Sequence, residues 1–154
     1  MLGCGRLRSG TLFALVGYRI GGTRSGLRDL CIDAQYPWPA SDTRKRSGLL
    51  SEGCGTARGS QGVALQARSM SKGMPSRARG AARADAATVT VEFRRRGRTR
   101  TERARAAVVH LAAHLLRGLG RRGAFSYWIA EVPLSAEVTA IKASDREGRL
   151  IASN

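Results

Sequence analysis

Apolar and polar side chains alternate along residues 88–93, which read TVTVEF. Val89, Val91 and Phe93 would lie on one face of an extended chain, and the intervening Thr and Glu side chains would lie on the other. Alternation with a period of two is typical of a strand with one buried face. A half-buried β-strand is therefore predicted here.

A helical period follows over residues 101–117. Thr99 precedes Glu102 by three positions, which is the spacing of a capping box, so the helix is expected to begin near residue 100. On a helical wheel one wide arc is apolar and faces the core. The arc consists of Ala104, Val108, Val109, Leu111, Ala112, Leu115, Leu116 and Leu119. The opposite ridge consists of Arg103, Ala107, His110, His114, Arg117 and Arg121.

Three glycines after this helix match the G-x-G-x-x-G spacing of a dinucleotide-binding loop: Gly118, Gly120 and Gly123. That motif binds pyrophosphate only where it follows a strand and opens a helix, because the helix N-terminus supplies the N–H groups. Here the order is reversed. We therefore expect the glycines to end the helix, with Gly118 or Gly120 in a left-handed conformation.

The segment FSYWIAEV, residues 125–132, is apolar at successive positions, as expected of a strand covered on both faces or one used for binding on one face. Residues 137–144 and 149–153 then read as a hairpin around the turn residues Asp145 to Gly148. The predicted order is β-α-β-β-β. Residues 86–154 are thus predicted to form a small α+β domain.

Residues 1–85 show no sustained period of either kind and are rich in Arg, Gly and Ser. They are predicted to be a disordered basic leader, because they offer too little apolar surface to offset the entropy of ordering. Residues 1–28 contain five Arg and no acidic residue, as mitochondrial presequences do, but frequent glycines oppose an amphipathic helix. A start at Met70 or Met74 would leave the patterned region intact.

The formal net charge is +16, and 24 of the 27 basic residues are Arg. The excess is largest in residues 70–100, which carry nine basic and two acidic side chains. Such a chain attracts polyanions, so nucleic acid, an acidic protein or an anionic membrane surface are the partner classes indicated. The same composition also arises in any reading frame of GC-rich DNA, so residues 1–69 need have no selected function.

Few residues suggest catalysis. His110 and His114 share a helical face but lack a third ligand among neighbouring cations, and Ser69 with Lys72 matches an S-x-x-K spacing without its companion motifs. Cys4, Cys31 and Cys54 are odd in number and far apart, so neither a zinc site nor a disulfide framework is indicated. We expect a protein without enzymatic activity, metal or cofactor.

The remaining candidate site is a group of cationic side chains. It predicts a small nucleic-acid-binding or ribonucleoprotein accessory protein that contacts the phosphate backbone with little sequence preference. Trp128, with Tyr127, is expected to stack on unpaired bases. The predicted site comprises Arg94, Arg95, Arg96, Arg98, Arg100, Arg103, His110, His114, Arg117, Arg121, Arg122 and Trp128.

The alternative is a protein-interaction subunit in which the FSYWIAEV strand pairs with a partner and the arginines serve import or solubility. No stretch approaches the ~20 apolar residues of a membrane span. A cytoplasmic, nuclear or nucleoid location is expected, with the mitochondrial matrix as the alternative.

Overall fold

The computed structural model describes residues 1–20, 29–37, 49–56, 62–69, 76–121 and 123–154. Most of these residues lie in β-strands. In chain order the strands are β1 (Gly3–Arg6), β2 (Leu12–Ile20), β3 (Asp29–Pro37), β4 (Leu49–Thr56), β5 (Val63–Ser69), β6 (Arg77–Ala82), β7 (Thr88–Arg94), β8 (Thr101–Arg105), β9 (Ala107–Leu111), β10 (Phe125–Glu131), β11 (Glu137–Ser144) and β12 (Leu150–Ser153). One short helix, α1 (Ala113–Arg117), lies between β9 and β10.

The strands form three antiparallel sheets. The first sheet has the order β1-β2-β3-β4, the central sheet β5-β6-β10-β9 and the third sheet β12-β11-β7-β8. One apolar cluster joins the first sheet to the central sheet, and a second cluster joins the central sheet to the third. The protein is thus built in three layers, with the central sheet covered on both faces.

Strand β10 occupies the middle of this arrangement. Phe125, Tyr127 and Ile129 pack toward the first sheet, whereas Trp128 and Ala130 pack toward the third. All five are at most 2% exposed. The prediction of a strand covered on both faces is therefore confirmed for FSYWIAEV.

Gly80 makes room for the largest of these side chains. It pairs with Trp128 across β6 and β10. A Cβ atom at Gly80 would lie 1.9 Å from the backbone oxygen of Ala64 and 2.9 Å from Cζ2 of Trp128. Since a backbone oxygen cannot rotate away, only glycine fits at this position.

The central and first sheets also bury charged side chains. Arg77 and Arg79 on β6 and Asp33 on β3 are at most 3% exposed. The guanidinium carbon of Arg77 lies 4.2 Å from the centroid of the Tyr36 ring, which is a cation–π contact between the central and first sheets. The aromatic face thus helps to stabilise an arginine removed from water.

The predicted α+β class and β-α-β-β-β order are wrong, because the described residues are nearly all in β-sheet. Two of the predicted strands and the predicted hairpin are confirmed, as β7, β10 and β11–β12. In β7 the polar positions are partly exposed and Val89, Val91 and Phe93 are buried. Gly148 takes a positive φ of 79° in the hairpin turn, and Asp145 accepts a hydrogen bond from the Arg149 backbone.

The long helix predicted from residue 100 is the main error. Residues 101–105 pair with β7 as β8, residues 107–111 pair with β10 as β9, and only Ala113–Arg117 is helical. Glu102 forms an ion pair with Arg95 rather than a capping box. An alanine-rich segment satisfies a helical and a strand pattern about equally well, so the pairing partners decided its conformation.

The glycines after α1 do end the helix, as predicted. Gly118 is the C-cap, and Gly120 takes a positive φ of 80°. The N–H of Arg121 donates to the carbonyl of Leu116. The loop follows a helix and precedes β10, so the context required for dinucleotide binding is missing.

The described residues before position 86 form six strands, which corrects the expectation of a disordered leader there. Cys31 is disulfide-bonded, a bond that was not predicted from the sequence, and Cys4 is a free, exposed thiol. Met70 and Met74 lie outside the described residues. The domain boundary at residue 86 stays a prediction, although β5 and β6 pair into the same sheet as β9 and β10.

Replacing Gly80 by Ala should reduce the free energy of unfolding by about 1–3 kcal/mol or more, because the new Cβ overlaps the Ala64 carbonyl. Chemical denaturation followed by far-UV circular dichroism measures the change. Gly62→Ala is the matched control, since a Cβ there meets nothing within 4 Å. Equal stability of the two variants would show that β5 and β6 do not approach as described.

A fragment of residues 86–154 tests the predicted domain boundary. It lacks β5, β6 and the first sheet, so the face of β10 that carries Phe125, Tyr127 and Ile129 loses its cover and the strand loses one hydrogen-bonding edge. We expect the fragment to show no cooperative thermal transition under conditions where the whole chain does. A sharp transition in the fragment would instead establish an independent unit beginning at residue 86.

Candidate nucleic-acid interface

The turn between β7 and β8 carries the densest group of cations. Its backbone is closed by a hydrogen bond from the Arg98 N–H to the Arg95 carbonyl, at 3.0 Å, and Gly97 takes a positive φ of 74°. Glycine suits that conformation because it has no Cβ. The exposed arginines of this turn are Arg94, Arg95, Arg96, Arg98 and Arg100.

The outer face of the third sheet continues this cationic surface. On β8, Ala104 points into the core opposite Val91, so Arg103 and Arg105 on either side of it point outward. Lys142 on β11 faces outward as well, between the buried side chains of Ile141 and Ala143. Strand alternation thus places cations from two strands on one face.

Glu92 lies at the centre of that face. It is directly opposite Arg103 in the β7–β8 register. Its Oε1 atom accepts hydrogen bonds from Nε of Arg103 and Nζ of Lys142, each at 3.0 Å. The Lys142 ammonium, aided by Arg103, lowers the pKa of the Glu92 carboxyl below its ordinary value. The carboxylate is therefore charged at neutral pH.

A concavity of about 990 Å³ opens over these groups, and we call it the basic concavity. It is lined by Glu92, Arg95, Arg98, Arg100, Thr101, Glu102, Arg103 and Lys142. Five of these eight side chains are cationic and two are anionic. Arg95 pairs with Glu102 at 2.8 Å, whereas Arg98 and Arg100 form no ion pair with any described residue. The concavity therefore has a net positive charge and unpaired guanidinium groups.

The structure divides the predicted site into separate parts. Arg95, Arg98, Arg100 and Arg103 line the basic concavity, and Arg94 and Arg96 line a neighbouring hollow that shares Arg95 and Arg98 with it. His110 lies on β9, beside a different concavity that contains Asp85 and Asp145. The continuous helical ridge that was to connect these residues is absent from the described chain.

The last part of the predicted ridge lies near α1. His114 and Arg117 are exposed on the helix, and Arg121 places its guanidinium carbon 5.5 Å from the centroid of the Phe125 ring. Arg122 lies outside the described residues. Helix α1 precedes the Phe125 end of β10, whereas the arginine turn lines a hollow together with Ser135 and Glu137, which follow the Glu131 end. These cations and the basic concavity thus lie toward opposite ends of β10.

Trp128 does not have the exposed ring that base stacking requires. It is 0% exposed, and its indole N–H donates to the Ala81 carbonyl at 3.3 Å. Tyr127 is equally buried on the other face of β10. The apolar run that drew attention to these aromatics is a core strand, and the expected stacking on bases is corrected accordingly.

The strand pairing of β10 argues against the alternative in which a partner protein pairs with this strand. Strand β10 pairs with β6 along one edge and with β9 along the other. Both of its hydrogen-bonding edges are therefore used within the chain. A partner cannot add a strand to FSYWIAEV without displacing one of these neighbours.

The sequence missed Glu92, Arg105 and Lys142 as members of this surface. Arg105 was placed on a helix, and Lys142 lies far along the chain from the arginine run. Only the pairing of β7 with both β8 and β11 brings the three residues to one face. The sequence did contain one indication: Glu92 in β7 and Lys142 in β11 each alternate with apolar residues, so both side chains are expected to point outward.

No protein family, no curated protein and no solved structure matches the chain. Among the described residues, no helix is both long and apolar enough to cross a membrane. In the same part of the chain, no three His, Cys, Asp or Glu side chains are grouped so that they could hold a metal ion. The chemistry of the surface itself therefore carries the functional argument.

Trp128→Ala should destabilise the whole fold rather than weaken ligand binding alone. Removing a fully buried indole leaves a cavity that typically costs about 3–5 kcal/mol. Thermal unfolding by circular dichroism measures the loss, with Tyr18→Ala as the control because Tyr18 is 42% exposed. If Trp128→Ala unfolded like the wild type, the indole would not have the buried environment described.

Proposed function

We propose that this protein binds nucleic acid through the phosphate backbone, with little preference for base sequence. The observation that carries the proposal is a set of exposed arginines on one turn and one sheet face, which have no acidic partner among the described residues. They are Arg94, Arg96, Arg98, Arg100 and Arg105. Such groups are available to an external anion without the loss of an internal ion pair.

Arginine suits phosphate because its planar guanidinium donates two parallel hydrogen bonds to phosphate oxygens. Several guanidiniums around the basic concavity can each neutralise one phosphate, and every contact releases a condensed counterion. Affinity then depends on the number of phosphates contacted and on salt concentration, rather than on base identity.

The position of the aromatic rings favours contact with the phosphate backbone over stacking on the bases. The aromatic rings predicted to stack on bases, Tyr127 and Trp128, are inside the core. The residues lining the basic concavity include no aromatic side chain. We therefore propose backbone contact, and we expect a duplex with its high phosphate density to bind at least as well as a single strand.

An acidic protein is the competing ligand for the same cations, and an anionic membrane surface shares the same attraction. Neither gains support from a specific contact in the described residues. A nucleic-acid-binding role fits a cytoplasmic, nuclear or nucleoid location. The mitochondrial alternative gains no support from the fold, because β1 and β2 lie within residues 1–20 and this segment contributes side chains to the core.

Neutralising two arginines of the turn provides the test. Arg98→Gln with Arg100→Gln should lower affinity for a mixed-sequence DNA duplex and flatten the slope of log affinity against log salt by about two. Fluorescence anisotropy at several salt concentrations measures both quantities. Folding should be unchanged, because both side chains are exposed.

The matched control is Arg19→Gln with Arg117→Gln, which removes the same charge from the region of α1. Both residues are exposed and lie away from the basic concavity. We expect this variant to keep the wild-type slope. Equal flattening in both variants would mean that overall charge, and not this surface, governs binding.

A further inference from the structure

Two cations on the outer face of the third sheet share a single carboxylate oxygen. Nε of Arg103 and Nζ of Lys142 are each 3.0 Å from Oε1 of Glu92, so the two nitrogens lie within twice that distance of each other. Three adjacent strands hold the group, since Glu92 is on β7, Arg103 on β8 and Lys142 on β11. The position of an anionic oxygen between two cations is therefore built into the sheet.

This geometry suits a phosphate as well as a carboxylate. Charge-assisted hydrogen bonds from guanidinium or ammonium groups to phosphate oxygens are roughly 2.7–2.9 Å long. If one oxygen of a tetrahedral phosphate group lay at the Glu92 Oε1 position, that oxygen would contact both cations. A second oxygen of the same phosphate would then face the concavity. Arg98 and Arg100 line that same concavity and are available for the neighbouring phosphates.

The two cations are accessible to solvent, whereas the Glu92 side chain itself is only 13% exposed. The side chains of Arg103 and Lys142 are 72% and 41% exposed, so an incoming anion can approach both cations from solvent. Partly exposed ion pairs contribute little stability, because water solvates the separated charges nearly as well. An external phosphate can therefore compete with the Glu92 carboxylate for these two cations.

We propose that Arg103 and Lys142 form a phosphate site which Glu92 occupies in the unbound protein, and that a backbone phosphate of the bound nucleic acid displaces the Glu92 carboxylate. This inference rests on the proposed function, and it adds an internal competitor to it. Glu92 lowers the affinity of the surface for polyanions. It also reduces repulsion between Arg103 and Lys142 while the site is empty.

Glu92→Gln removes the competing charge while keeping a side chain of the same shape. At about 0.1 M salt this variant should bind a mixed-sequence DNA duplex about 3–10-fold more tightly than wild type, because two ion pairs no longer have to be broken. Glu137→Gln is the matched control. It changes the net charge equally on the same sheet, but Glu137 has no ion pair within the described residues. The control should give a clearly smaller gain.

A second variant tests the site from the cationic side. Lys142→Gln leaves Glu92 paired with Arg103, and it should flatten the salt slope of duplex binding by about one. In the Glu92→Gln background, Lys142→Gln should remove much of the gained affinity. Circular dichroism melts establish that each variant is folded.

The outcomes separate the two proposals. Salt-dependent wild-type binding that requires Arg98 and Arg100, with equal gains for Glu92→Gln and Glu137→Gln, would overturn the exchange and leave the proposed function standing. If Glu92→Gln failed to fold, an unchanged slope for Lys142→Gln would overturn the exchange on its own. Wild-type binding that ignored salt would overturn both proposals.

Discussion

Covering both faces of β10 is the constraint on which the rest of this structure depends. A strand with Phe125, Tyr127 and Ile129 on one face and Trp128 and Ala130 on the other exposes apolar surface wherever a layer is missing. The first and third sheets supply the two covers. Trp128 in turn needs Gly80 opposite it, because the indole and the Ala64 carbonyl occupy the space of a Cβ.

The parts of the fold that could be predicted from the sequence are those with a local pattern. Alternation in β7, two-sided burial in β10 and the turn at Asp145 to Gly148 are local patterns, and each formed as expected. The helix predicted over residues 101–117 was wrong because alanine and arginine favour a helix locally, whereas pairing with β7 and β10 made residues 101–105 and 107–111 strands. Even in the short helix α1 the predicted apolar arc is only partly buried. Leu116 packs into the core beside the first sheet, whereas Leu115 is exposed.

Residues before position 86 were missed for a different physical reason. Their strands contain glycine at packing positions, such as Gly3 and Gly5, where a Cβ would lie 2.6 Å from a side-chain atom of Val109 or Phe13. Glycine leaves no hydrophobic signature in a sequence, although it permits close approach of backbone and side chain. Long-range pairing between sheets is likewise invisible in a local pattern, so Glu92 and Lys142 could not be assigned to one site.

Layering also separates the charges that serve the fold from those available for binding. The outer layers meet water, so arginines there keep their solvation, whereas Arg77 in the central sheet relies on contacts such as the Tyr36 ring. On the third sheet, Glu92 pairs with Arg103 and Lys142 on the neighbouring strands, and Glu102 pairs with Arg95 in the turn. The other arginines of the turn, Arg94, Arg96, Arg98 and Arg100, have no such counter-charge among the described residues, and solvent ions or an external anion relieve their mutual repulsion. Under the proposed function, a polyanion that bridged them would lower that repulsion at the same time as it gained phosphate contacts, and it would do so without breaking an ion pair of the fold.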